Sequence, residues 1–190
     1  MARRTRAEME ETRTTLLATA RRAFAETGYT DASMDDLTAR AGLTRGALYH
    51  HFGDKKGLLA AVVAQIDGEM DERLKAISDN AKSPWQGLRE RCRAYLRMAL
   101  EPEIQRIVLR DARAVLGGTA VDEEQHCIAS LQGLLEQIGA QPAEALARLI
   151  YGSLSEAAFW IAEGDEGETR LAQADAALKV LLRAVRPEQD

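Results

Sequence analysis

The segment Gly42 to Phe52, Gly-Leu-Thr-Arg-Gly-Ala-Leu-Tyr-His-His-Phe, constrains the chain more than any other stretch of it. Just upstream, Ser33-Met34-Asp35-Asp36 places a serine three residues before an acid, the pattern of a capping box. The helix that begins there carries Met34, Leu37 and Ala41 at helical spacing and stops at Gly42, a residue type favoured where helices end. Leu43 is an apolar plug for the turn, and Thr44 caps a second helix over Arg45 to Phe52 with Ala47, Leu48 and Phe52 facing inward. Two short helices about a tight glycine turn make a helix-turn-helix, whose second helix fits a DNA major groove.

Gly46 sits inside that second helix, where glycine costs about 1 kcal/mol relative to alanine. Two readings account for it: a backbone that another surface approaches closely, or relief of crowding between the two helices. Its neighbours Arg45, Tyr49 and His50 hydrogen-bond from one side of the same helix, which favours the first.

With these residues in place, the chain resembles the TetR (tetracycline-repressor) family of bacterial regulators. Three linked motifs carry the resemblance: Phe24-Ala-Glu-Thr-Gly-Tyr-Thr30, Asp36-Leu-Thr-Ala-Arg-Ala-Gly-Leu-Thr-Arg-Gly-Ala-Leu-Tyr49, and His51-Phe-Gly-Asp-Lys-Lys-Gly-Leu-Leu59. They cover about the first third of the chain. Leu37-Thr38 stands where the family usually has Ile-Ala, and Ala47 where threonine is frequent, leaving one fewer polar group to read DNA.

The rest of the sequence is compatible with an all-α protein. Its hydrophobic content of 46% can fill a sizeable core, only four prolines interrupt it, and no alternating strand pattern of useful length occurs. The longest apolar runs, Leu58 to Ala64 and Ala157 to Ala162, are too short to span a bilayer, and the charged start from Arg3 onward lacks an apolar signal segment. A cytoplasmic location without a membrane partner is therefore expected. The net charge of −5 looks wrong for a DNA binder until it is divided. Residues 1–60 hold ten Lys/Arg against eight Asp/Glu, and residues 61–190 fifteen against twenty-two, a balance of +2 against −7.

Periodicity gives nine helices. Met1 to Glu11 reads as a charged arm in which Arg3, Arg4 and Arg6 either follow DNA or are simply solvated. A first helix over 12–26 ends at Gly28; after the two helices already described, Asp54 caps a long fourth helix to about Asp79-Asn80. Ser83-Pro84-Trp85 opens a fifth that stops near Pro102, Glu103 to Leu116 forms a sixth, and a seventh spans Asp122 to Ile138. The eighth starts at Gln141-Pro142 and reaches Ala162, and the ninth runs from Glu168 to Val185. On the sixth, Arg106, Arg110 and Arg113 lie opposite Ile104, Val108, Ala112 and Val115, a pattern that favours a solvated face over an anion site. The expected division is a helix-turn-helix domain over 10–70, with its recognition motif at 33–52, and a larger helical domain over 71–190. No flexible linker separates them along the fourth helix, so mechanical coupling is expected.

No nucleophile elbow, phosphate-binding glycine loop or paired-carboxylate motif supports an enzyme, and no cofactor is expected. Glu123, His126 and Cys127 fall at helical spacing but lack the further ligands a metal needs, so a structural or ligand-lining role is favoured. Cys92 and Cys127 show no redox spacing and read as buried structural thiols. Trp85, Cys92, Tyr95, Tyr151, Ser155 and Phe159, spread over several helices, suit either a filled core or a pocket for a small, partly apolar molecule.

The resemblance implies an all-α transcription regulator, a repressor by preference, binding a palindromic double-stranded operator as a homodimer and responding to a small-molecule effector. Arg45 is the expected base reader, with His50 a second candidate; Ser33, Thr44, Tyr49 and Lys55 would hold phosphates, and Gly46 would permit approach. Leu146, Ile150, Leu154, Ala157 and Ile161 of the eighth helix, with Leu171, Leu178 and Leu181 of the ninth, are the expected dimer contacts. An activator or ligand-independent DNA binder, and a helical carrier protein, remain the alternatives.

Overall fold

Every regular element among the described residues of the computed structural model is helical; these are residues 5–117 and 121–186, with the side chains of 121–123 excepted. The order is α1 (Arg6–Thr27), α2 (Met34–Ala41), α3 (Arg45–Phe52), α4 (Lys55–Asp79), α5 (Pro84–Met98), a π-helical stretch (Ile104–Ala112), α6 (Arg113–Leu116), α7 (Val121–Gln137), α8 (Ala143–Ala162) and α9 (Gly167–Arg183). The all-α expectation holds. Arg3 and Arg4 lie outside the described residues, as does the Glu123 side chain.

Two elements differ from their sequence reading. α1 begins at Arg6, so the stretch from Arg6 to Glu11 is helix and not an arm. The cause is local: Thr5 Oγ1 accepts from the Glu8 N–H at 3.3 Å while the Thr5 N–H donates to Glu8 Oε2 at 2.7 Å, a reciprocal capping box. The expected sixth helix is mostly π-wound, with only Arg113–Leu116 as α-helix. Wider winding breaks the expected segregation of faces: Ile107 and Leu109 are buried, and Arg106 is half-buried against Gly28.

The chain divides into two compact units, Met1–Ile66 with Arg106–Gly118, and Asp67–Gln105 with Thr119–Asp190. Both units are discontinuous in sequence, the first taking in Arg106–Gly118 as well as the N-terminal helices. α4 runs unbroken through the division at Ile66 and Asp67.

In the first unit, Leu16, Ala20, Phe24, Leu37, Leu48, Leu58, Leu59 and Val62 form a buried core. Phe24 and Tyr29 pack ring to ring at 5.8 Å. Gly28 takes φ +83°, a conformation that favours glycine, and the Arg106 guanidinium lies 2.9 Å from where a Cβ would stand. The Tyr29 N–H donates to Asp111 Oδ2 at 2.7 Å, which ties the later stretch to the end of α1.

In the second unit, α5, α7, α8 and α9 pack around Leu88, Cys92, Leu96, Leu135, Ala147, Ala158 and Ile161. Arg93 forks onto Asp175, with Nε at 2.5 Å from Oδ1, and Lys179 reaches the same carboxylate at 2.7 Å. Three expected dimer residues are consumed by this core: Leu154, Ile161 and Leu178 are buried within their own chain. Leu146, Ile150, Ala157 and Leu171 are half-buried, and Leu181 is exposed. The large apolar side chains exposed on α8 and α9 are Leu149, Trp160, Val180 and Leu181; Leu149 and Leu181 belong to the apolar stripes that the spacing offers for assembly, and Trp160 and Val180 do not.

Candidate nucleic-acid interface

The helix-turn-helix is assembled by its caps. Ser33 Oγ accepts from the N–H groups of Asp35 (3.2 Å) and Asp36 (3.4 Å), and Thr44 Oγ1 accepts from the Ala47 N–H at 3.2 Å. Gly42 closes α2 in the left-handed region at φ +65°, as its position in the sequence requires. Leu37 and Leu48 are buried beneath the turn, which fixes how α3 sits on α2. Each capping hydroxyl still has its own O–H to donate, so both suit a phosphate oxygen.

α3 has one buried residue, Leu48, and exposes Arg45, Gly46, Tyr49 and His50. A Cβ on Gly46 would meet nothing nearer than Thr44 Oγ1 at 3.9 Å. Crowding between the helices therefore does not explain this glycine. A very different glycine is Gly57, where a Cβ would lie 2.1 Å from the Phe52 carbonyl oxygen; only glycine allows α4 to follow α3 so closely.

Two cations of the face are already engaged. Arg45 lies 3.1 Å from Asp35 and leans over the Tyr49 ring at 5.9 Å. Lys55 donates to the Thr30 carbonyl at 3.1 Å and stands over the Tyr29 ring, 4.6 Å from its centroid. Burial first, and the Asp54 carboxylate second, hold the Tyr29 phenol above its ordinary pKa, so it is a neutral donor. Asp54 accepts from the Gly57 N–H at 2.6 Å, capping α4 directly behind Lys55.

The sequence reading missed Asp35 as the counter-ion of Arg45 and Tyr29 as the seat of Lys55. Neither pair has a helical spacing that would announce it; the turns of the motif bring both together.

In the second unit, Cys92, Tyr95 and Tyr151 of the expected pocket do converge, together with Leu74, Arg91, Cys127, Leu131 and Leu154. The cavity they line is only about 30 Å³. Tyr95 hydrogen-bonds Ser155, and burial, outweighing that bond, pushes its hydroxyl well above the usual phenol range. Burial also pushes the Cys92 thiol up to about 12. Trp85 is not part of this cavity: it stands in the first turn of α5 and lines a separate groove with Arg89, Arg93 and Arg183. Phe159 is half-buried and does not line the cavity either. Arg91, in the cavity wall, is buried and paired with Asp71 at 2.9 Å, and Asp71 also meets His126 at 3.2 Å. Among the described residues no three potential ligands gather as a metal site, and no helix is long and apolar enough to cross a membrane.

Comparison with known proteins follows the same division. A model of "Bacterial regulatory proteins, tetR family" matches residues 16–62, and one of "Tetracyclin repressor-like, C-terminal domain" matches residues 85–185, over half of the chain. A solved TetR-family transcriptional regulator from Pectobacterium atrosepticum is 68% identical, over 98% of this chain and 100% of that one, with a TM-score of 0.92. The HTH-type transcriptional regulator SrpR of Pseudomonas putida is 47% identical over 64 residues, 34% of this chain and 30% of that protein. The HTH-type transcriptional repressor BepR of Brucella suis biovar 1 is 32% identical over 107 residues, 56% of this chain and 51% of that protein. The matches to these curated relatives thus span about half of their length or less.

Proposed function

This chain belongs to the TetR family of DNA-binding transcription regulators, and from that premise we propose that it is a ligand-responsive repressor binding a palindromic operator as a homodimer. The observation that carries the reading is α3, eight residues with one buried side chain and a row of exposed Arg45, Gly46, Tyr49 and His50. Arg45 would pair with a guanine edge, Gly46 would let the backbone approach, and Ser33, Thr44, Tyr49 and Lys55 would hold phosphates on either side. The repressor sense is supported by BepR, a repressor by name.

Homodimerisation is supported by the exposed Leu149, Trp160, Val180 and Leu181 and by a groove of about 350 Å³ that Leu96, Ala157, Ala174 and Leu181 help to line. A second copy offering the same face would cover both. Ligand response is supported by the cavity around Cys92, Tyr95 and Tyr151 and by covalent continuity along α4. An effector shifts operator affinity only by binding one conformation better than another, and such couplings amount to about 1–3 kcal/mol.

A mobility-shift titration with DNA from upstream of its own gene, against random duplex at the same salt, tests the reading. A repressor gives a shift at least 10³-fold tighter on the specific DNA and lowers transcription from it in a reporter assay. A rise in transcription would make it an activator; weak, sequence-indifferent binding would return the carrier reading.

A further inference from the structure

Lys55 opens α4, yet both groups that hold its ammonium lie outside that helix. Nζ donates to the Thr30 carbonyl at 3.1 Å and stands 4.6 Å from the centroid of the Tyr29 ring. These are consecutive residues between α1 and α2, so the place of the ammonium depends on how that turn is held. The Gly28 N–H closes α1 by donating to the Phe24 carbonyl at 2.9 Å. The Tyr29 N–H goes elsewhere, to Asp111 Oδ2 at 2.7 Å. One residue earlier, the Arg106 guanidinium packs on Gly28, with Nη2 2.9 Å from where a Cβ would stand. Arg106 and Asp111 therefore meet adjacent residues of one turn. On an α-helix two side chains five positions apart would point about 140° apart. Residues 104–112 are π-wound, and π winding pairs residue i with i+5, which brings the two toward one face.

We propose that Asp111 and Arg106 are positioning residues for DNA binding: the π-wound stretch clamps the α1–α2 turn, and the clamped turn seats Lys55 for a phosphate. This rests on the reading of Lys55 as a phosphate contact. An ammonium has three N–H donors, and Lys55 gives one to Thr30, which leaves others for a phosphate oxygen. A lysine held in place before DNA arrives loses less rotamer freedom on binding than a free one. Release of the turn returns that freedom to Lys55 and weakens its phosphate contact. The sign is distinctive for Asp111. Removing a carboxylate from a DNA-binding unit tightens binding by charge alone, whereas loss of a positioning contact weakens it.

The test uses the full-length protein and a random-sequence duplex, on which phosphate contacts dominate. Kd is measured across salt by fluorescence anisotropy, at a temperature where circular dichroism shows each variant folded. Asp111→Ala should weaken binding about 3- to 10-fold, within the range of coupling between residues of one hydrogen-bonded network. It should also flatten the salt dependence, and in a Lys55→Ala background it should cost nothing further. Asp111→Asn keeps an acceptor and should recover most of the loss. Arg106→Ala frees the same turn and takes the place of Asp111→Ala if that variant does not fold. Binding as tight as wild type or tighter in the folded variant overturns the positioning role and leaves Lys55 on its phosphate. An equal loss with and without Lys55 overturns it too, since the residue would then act by another route. If Lys55→Ala itself binds as wild type, the phosphate role of Lys55 falls, and the positioning role falls with it.

Discussion

The backbone N–H of Tyr29 donates to the carboxylate of Asp111 at 2.7 Å, across eighty-two positions of sequence. It joins the turn leading into α2 to the π-helical stretch, within one compact unit. Hydrogen bonds to charged groups contribute about 1.5–3 kcal/mol. Asp111→Ala should therefore lower Tm by several degrees, at about 2–4 °C per kcal/mol for a chain of this size. Asp111→Asn keeps an acceptor and should fall between that variant and wild type. Thermal unfolding followed by circular dichroism gives the order; an Asp111→Ala variant as stable as wild type would mean the bond adds nothing.

Arg45 rests on Asp35 in the DNA-free protein, 3.1 Å apart on an exposed face. Such a pair stabilises the fold little, but on DNA the carboxylate would lie among phosphates. Asp35→Asn should leave Tm within about 1 °C while tightening binding to specific and random duplex alike, most strongly at low salt. Fluorescence anisotropy at two salt concentrations measures it, and weaker binding would show that Asp35 orients Arg45 and does not merely detain it.

Assembly is tested on the outer face. Leu149→Glu and Leu181→Glu place a charge where the side chains are 68% and 54% exposed, so each should yield a folded monomer with greatly weakened operator binding. Leu178 is buried in its own chain, and Leu178→Glu should instead unfold or strongly destabilise it. Light scattering with a folding check separates the two outcomes; a dimeric Leu149→Glu/Leu181→Glu protein would place the interface elsewhere.

Local chemistry was legible in the sequence. Ser33, Gly42, Thr44 and Asp54 act through neighbours within a turn, and each caps or ends a helix where its type says it should. Thr5-Arg-Ala-Glu8 carries the same local signal inside a charge run that by itself reads as an arm. What helical spacing does not encode is which apolar stripe faces inward. Leu178 and Leu181 both lie on one helix, yet the packing of α5 and α8 buries the first and leaves the second exposed. The presence of Cys92 and Cys127 in the wall of one cavity, and the π winding that carries Arg106 to Gly28, likewise depend on contacts distant in sequence.

Acid should loosen α5 from α9. Desolvation opposes ionisation of Asp175, but bonds from Lys179 and Arg93 outweigh it and hold its carboxyl below the ordinary value of 3.8. A depressed folded-state pKa contributes stability that is present above the unfolded value and is lost as pH falls through the folded one. Asp175→Asn should thus lower Tm at pH 7, and the gap to wild type should close below about pH 4. A gap that stays constant as pH falls from 7 through the acid range, with no narrowing below about pH 4, would mean the loss is one of packing and not of charge.

In the proposed complex α3 reads DNA sequence while the residues around it grip phosphate. This division of roles is tested most directly by measuring Kd for operator and for random duplex, across salt, in Arg45→Ala and Lys55→Ala. Arg45→Ala should lose about 1–3 kcal/mol on the operator and little on random DNA, with relaxed discrimination at one base pair per half-site. Lys55→Ala should weaken both duplexes alike and reduce the slope of log K against log salt by about one for each subunit bound. Equal losses on both duplexes in both variants would contradict the division of roles and with it the placement of α3 in the groove.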